Sequence, residues 1–374
     1  MQFKQVIGQD AIKKRLIDGV NENRVSHAQL FSGTEGSGKL ALAIAYAQYV
    51  NCKNRTETDS CGECPSCKKY QKLIHPDLHF VFPVVKSPKF KDPVSDNYLD
   101  KWREQVVNDP YFNLNNWNKT IDVENAQAQI YVTESSEIIR KLNLKTFEAE
   151  YKVMIIWMVE RMNVQCANKL LKMIEEPPPK TLFILITENE EQIITTIKSR
   201  TQLVKFTGID AQSLAEAVRP LAEEAGKNLQ GLVHQANGNY IEALNLISRD
   251  DQKAMFFDQF TNLMRTSYKR DWTTMFTWVD EVAALGREQQ KSFLLYSLRM
   301  LRENFVMNLK RPQIVYLSDE EKNFSERFSP FINERNILVF SEEFERAYRD
   351  ISQNGNPRII LLDLSLKIVK MIRA

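Results

Sequence analysis

Ala28-Gln29-Leu30-Phe31-Ser32-Gly33-Thr34-Glu35-Gly36-Ser37-Gly38-Lys39-Leu40 is the stretch that decides the fold. Ala28 to Ser32 reads as a short buried strand, and the Ala- and Leu-rich run from Leu40 to Tyr49 reads as a helix. A strand that passes through a glycine-rich loop into a helix N-terminus is the setting in which a phosphate is cradled. Glycines let backbone N–H groups turn inward, and the helix end adds positive potential. Gly33, Gly36 and Gly38 would shape the cradle, and Lys39 would reach the β- and γ-phosphates of a nucleotide. The next position calls for Ser or Thr, whose hydroxyl holds Mg²⁺, and Leu40 offers no oxygen there. A glycine-rich turn without a ligand is the plainer alternative.

Outward from this loop, Lys152 to Trp157 and Thr181 to Ile186 read as two more buried strands. Between them lies a helix, Gln165 to Glu176, stopped by Pro177-Pro178-Pro179. Strands alternating with helices predict an α/β fold with a parallel sheet. An ATPase needs an acidic pair at the end of its second buried strand. After Ile155-Ile156 this chain has Trp157-Met158, which neither accept a proton nor hold a metal, and Glu160 stands in the wrong register to replace them.

Four of the five cysteines, Cys52, Cys61, Cys64 and Cys67, follow the spacing C-x8-C-x2-C-x2-C. In a reducing compartment that clustering points to a metal and not to disulfides. Four thiolates suit a closed, tetrahedral, structural zinc site. His75 and His79 are spare ligand candidates, each more simply a loop or strand histidine. Cys166 stands apart and reads as a small buried apolar residue.

The balance of the chain sets bounds. A net charge of +2 means that bulk charge does not announce nucleic-acid binding. There is no apolar run of about 18 residues to span a membrane, and Met1 to Asp10 lacks an apolar signal region, so a cytoplasmic protein without membrane contact is expected. The length of 374 residues suits two or three domains. After Phe206 the strand signal fades, Asp210 reads as an N-cap, Gly238 as a turn and Glu242 to Leu246 as helix. The last part is all-α. Leu294, Leu298, Leu301 and Phe305 share one helix face, and Ile359, Leu362, Leu366 and Val369 another; both stripes read as core, with a subunit-packing face as the alternative. Residues from about 86 to 128, rich in Pro, Asn, Asp and aromatics, read as an inserted arm or partly mobile loop.

These residues together resemble a family. Val6-Ile7-Gly8-Gln9, Ser26-His27-Ala28, the glycine loop, the cysteine module, His75-Pro76-Asp77, Asn168 through Pro178 with its Leu-Leu-Lys and Glu-Glu-Pro-Pro, and Thr196-Ile197-Lys198-Ser199-Arg200 follow one another as in the bacterial DNA polymerase III clamp-loader AAA+ family, its delta-prime branch in particular. The resemblance is clear to about residue 250 and loose beyond. It implies an AAA+ sheet domain over residues 1–206 with a zinc module at about 50–70, a helical lid over 207–250 and a helical collar over 251–374.

It also implies roles for single residues. Ser199-Arg200 would match the Ser-Arg-Cys motif, with Thr201 in place of the cysteine. Its arginine reaches a neighbouring subunit's ATP, as a planar guanidinium suited to γ-phosphate charge; a surface salt bridge is the alternative. Gly238 to Leu244 resembles the lid segment that carries a phosphate-sensing arginine, and Ile241 stands in that arginine's place. The loss of magnesium ligand, acidic pair and sensing cation implies a subunit of the DNA-directed DNA polymerase holoenzyme that does not itself hydrolyse ATP. Its expected partners are the ATP-hydrolysing gamma or tau subunits, the delta subunit, the sliding clamp and primer-template DNA, with Lys169 and Lys172 as candidate DNA contacts. Two alternatives stand: an ATP-hydrolysing gamma/tau-type subunit, and a zinc-dependent nucleic-acid-binding protein.

Overall fold

The computed structural model describes residues 1–88, 90–123, 127–248, 251–309 and 314–373, so four residues of the 86–128 segment and the last two of the 207–250 segment lie outside it. The chain divides into two compact units, Met1–Ile247 and Ser248–Ala374. The α/β-then-all-α organisation expected from the sequence is present.

The first unit holds a five-stranded sheet of β1 (Ala28–Ser32), β2 (Leu78–Val81), β3 (Lys152–Trp157), β4 (Thr181–Thr187) and β5 (Gln202–Lys205). The strand order is β2-β3-β4-β1-β5, and every pairing is parallel. Every residue of β1, β3 and β4 is buried, as expected where helices cover both faces of a parallel sheet. Alternation divides the strands between two cores. Phe31, Ile155 and Ile184 pack with the helix Lys39–Val50, whereas Leu30, Ile156 and Leu185 pack with the helices Val132–Asn143 and Val164–Glu175. Parallel β1, β3 and β4 therefore deliver their C-terminal ends, where the glycine loop and Trp157 lie, to one edge of the sheet.

Local signals act as their chemistry requires. Asn163 caps the helix Val164–Glu175 by accepting from Gln165 N at 2.8 Å. Asp210 does the same for the helix Ala211–Glu224, accepting from Ser213 N at 2.8 Å.

The described part of the 86–128 segment differs from an arm or loose loop. It carries the helices Leu99–Asn108 and Leu114–Thr120. Trp102 and Trp117 are fully buried, and Trp102 stacks on Phe82 of the chain just beyond β2 at 4.2 Å. Trp117 Nε1 donates to Pro83 O at 2.8 Å, which satisfies the indole in the core.

The regular elements described in the second unit are all helices, from Asp251–Lys269 to Pro357–Met371. Leu294 and Leu301 are fully buried, in line with the first expected stripe. The second stripe holds in part: Val369 is buried and Leu362 packs against the core, whereas Ile359 is 67% exposed and Leu366 40%, and Leu361, Leu364 and Ile368 also face the core. The apolar residues of this helix surround it, so the pattern carried little directional information.

Candidate functional site

Gly36 and Gly38 have φ of +69° and +85°, which only glycine adopts without strain, so the loop has the turn that its sequence requires. Its lysine is bonded back onto the loop itself. Lys39, buried at 5% exposure, donates from Nζ to Gly33 O at 2.8 Å, to Thr34 O, and to Ser37 Oγ at 3.3 Å. Burial lowers its pKa, and the charges of Glu188, Glu160 and Glu35 oppose that shift. Burial in turn raises the Glu188 carboxyl to about 7, countered by Lys39. Glu160 accepts from Glu188 N at 3.0 Å through one oxygen, and its other oxygen is buried without a hydrogen bond.

The residues do not fit a magnesium nucleotide. Leu40 is buried in the core, Trp157 packs on Phe112 at 5.0 Å, and Ile241 is buried at 6% exposure on the helix Tyr240–Ile247. None of the three offers an oxygen or a cation. A phosphate entering here would meet several carboxylates around one ammonium that is already bonded to its own loop.

The four cysteines do converge. Their sulfurs all lie within 4.8 Å of one another, and none is in a disulfide. Cys52 and Cys61 sulfurs are 3.5 Å apart, and those of Cys61 and Cys67 are 3.9 Å apart. Four Zn–S bonds of about 2.3 Å at tetrahedral angles would put sulfurs about 3.8 Å apart, so the cluster fits a thiolate-bound metal. Backbone N–H groups point at the sulfurs: Cys61 N donates to Cys52 Sγ at 3.2 Å, and Cys64 N to Cys61 Sγ at 3.4 Å. The N–H groups of Cys64 and Glu63 lower the Cys61 thiol's pKa to about 6.

The spare ligands lie elsewhere. His75 has a fully buried side chain, takes a hydrogen bond from Asp77 N at 3.2 Å and stands 3.3 Å from Glu148. His79 is in β2, and Cys166 is buried in the helix Val164–Glu175. Asp77 accepts from the N–H groups of Phe147, Glu148 and Ala149 at 2.7–2.9 Å. Burial favours its neutral form, but these three donors outweigh that and hold its pKa below the ordinary carboxylate value. His75-Pro76-Asp77 is thus a staple that ties the entry of β2 to the loop before β3.

Ser199 and Arg200 lie between the helical turn Thr195–Lys198 and β5. Ser199 is exposed. Arg200 Nε is 2.7 Å from Glu175 Oε2, and its Nη1 donates to Thr196 O at 3.1 Å. The surface ion pair expected as the alternative is therefore made within this chain. Such half-exposed pairs contribute at most about 1 kcal/mol, so the guanidinium is cheaply redirected. Lys169 and Lys172 are exposed on the helix Val164–Glu175. Sequence reasoning missed Tyr111 and Asn113, which touch the glycine loop from the inserted segment.

No helix of the described residues is long and apolar enough to cross a membrane. Among known proteins, DNA polymerase III subunit delta' of Bacillus subtilis (strain 168) is 26% identical over 281 residues, 75% of this chain and 71% of its own. DNA polymerase III subunit tau of the same organism is 28% identical over 254 residues, 66% of this chain but 37% of its own length. A solved DNA polymerase III gamma subunit-related protein from Thermotoga maritima aligns over 98% of this chain and 100% of its own, at 15% identity and a TM-score of 0.46. The family described as DNA polymerase III, delta subunit, matches residues 8–210. That span is more than half of the 374 residues, and with it the chain belongs to this family.

Proposed function

We propose that this chain is the delta-prime-type subunit of a DNA polymerase III clamp loader, inert as an ATPase and lending Arg200 in trans to a neighbouring gamma or tau subunit. The observation that carries this reading is the state of the glycine loop. Lys39 is engaged by Gly33, Thr34 and Ser37, Leu40 replaces the magnesium-binding hydroxyl, and Trp157 stands at the end of the strand that needs carboxylates. An arginine outside such a loop is useful to a neighbour's phosphates, where a guanidinium stabilises charge that develops as the γ-phosphoryl leaves. Residues 1–206 would be the sheet domain, 207–250 a lid and 251–374 the collar through which subunits assemble. The cysteine cluster would hold structural zinc. Delta, the sliding clamp and primer-template DNA would be the other partners, with Lys169 and Lys172 toward the phosphate backbone.

Arg200→Ala is expected to lower the ATPase rate of the reconstituted loader by about 10³-fold or more, the usual size of an arginine-finger effect. The thermal transition of the isolated variant should stay near wild type, because only surface bonds, to Glu175, Thr196 and Ser199, are lost. Unchanged turnover in the complex would sink the trans role. The gamma/tau reading has in its favour the 28% identity to tau against 26% to delta'. It requires ATP hydrolysis by the isolated chain.

A further inference from the structure

The glycine loop is enclosed from three directions. On one side Gln9 Nε2 donates to Ser37 O at 3.1 Å and to Thr207 O at 2.8 Å. On a second, Tyr240 N donates to Gly36 O at 3.2 Å, and Asn239 crowds Gly36 so closely that no side chain fits there. From the third side comes the inserted segment. The Tyr111 ring lies over Gly38, its Cε1 only 3.1 Å from where a Cβ would stand. Asp109 Oδ1 accepts from Tyr111 N at 2.7 Å, which fixes the turn that aims the ring. The Tyr111 hydroxyl accepts from Ile7 N at 2.9 Å, and its ring meets that of Tyr240 at 4.8 Å. Phe112 packs on Trp157, and Asn113 Nδ2 donates to Glu35 Oε1 at 3.3 Å.

One tyrosine therefore touches the opening stretch of chain at Ile7, the loop at Gly38 and the helix that begins at Tyr240. A nucleotide in a phosphate loop makes the same kind of bridge, with phosphates on the glycines and the rest against covering elements. We propose that Asp109–Asn113 is an internal ligand of the glycine loop, seated where a nucleotide would go. It holds the helices Leu229–Ala236 and Tyr240–Ile247 onto the sheet domain without any nucleotide. This deepens, and rests on, the reading above of an inert loop. The covering helices are then constitutively closed, a fixed surface instead of a nucleotide-gated one.

Hydrogen exchange followed by mass spectrometry on the full chain tests this. In Tyr111→Ala, amides of 229–247 should exchange about tenfold faster or more, because their closure loses its bridge. Amides of β4 should be unchanged, and Tyr111→Phe, which gives up only the bond from Ile7 N, should stay close to wild type in 229–247. Unaltered exchange of 229–247 in Tyr111→Ala overturns the proposal. Should that variant lose protection everywhere, the wild-type chain supplies the test. With rising denaturant, its amides of 109–113 and 229–247 should open together, and independent opening overturns the proposal. Added millimolar MgATP should leave both segments unmoved, and release of 109–113 by it would overturn the proposal too. These measurements use the isolated chain, so they can fail while the Arg200 experiment succeeds, and the reverse.

Discussion

Glu134 shows what a single residue does for the inserted segment. It is buried at 1% exposure on the helix Val132–Asn143 and accepts from both the backbone N–H and the hydroxyl of Ser95, at 2.7 and 3.0 Å. It thereby anchors the start of the segment that carries Tyr111. Burial raises its pKa from 4.5 to about 7, although the Ser95 donors and Lys141 pull the other way. The folded state then binds the proton more tightly than the unfolded chain. The stability tied to this proton is fully present below about pH 4.5 and lost as pH climbs through about 7. Denaturant midpoints of Glu134→Gln should therefore rise relative to wild type across that window, by up to ~1.4 kcal/mol for each pH unit of the shift. Parallel curves for the two proteins would refute the anchoring carboxyl. Such residues were not legible in the sequence, since nothing local marks Glu134 as buried or Tyr111 as facing a glycine. Leu40 and Trp157 were legible, because a motif fixes which chemistry each position needs.

At the scale of elements, the long β-rich runs declared themselves. β1 and β3 have the bounds read from the sequence, and β4 extends one residue further. β2 and β5 escaped notice because each has four residues, and β5 is a sheet edge with only Val204 buried. The inserted helices escaped because each is short, with its buried apolar face marked by only Trp102 and Val106 in the first and Leu114 and Trp117 in the second. The cysteine module was legible from spacing alone, and its sulfurs do converge. Gly62, at φ +78°, supplies the turn between Cys61 and Cys64. Purified protein should carry about one zinc per chain by elemental analysis. Its removal by a chelator should expose the Cys52–Gln71 region to protease before the rest of the chain unfolds, since metal binding to such a module is folding free energy. Absence of metal, or no change in cleavage on its removal, would count against a structural zinc.

On the scale of the whole molecule, the first unit keeps the turn of a phosphate loop while Gln9, Tyr111 and Asn239 of the same chain lie against it. The loop lysine is bonded to its own loop beside three glutamates, and the inserted tyrosine lies against Gly38. What stays available is Arg200, at the surface on a weak ion pair. The family was legible from the order of its motifs, because each motif is set by local chemistry. How the loop is closed was not, because it depends on residues about 70 and 200 positions away in the chain meeting over Gly36 and Gly38. The measurement that bears most directly on this is ATP turnover by the isolated, purified chain, wild type beside Lys39→Ala. The account predicts no turnover above background in either protein; turnover in wild type that disappears in Lys39→Ala would contradict it.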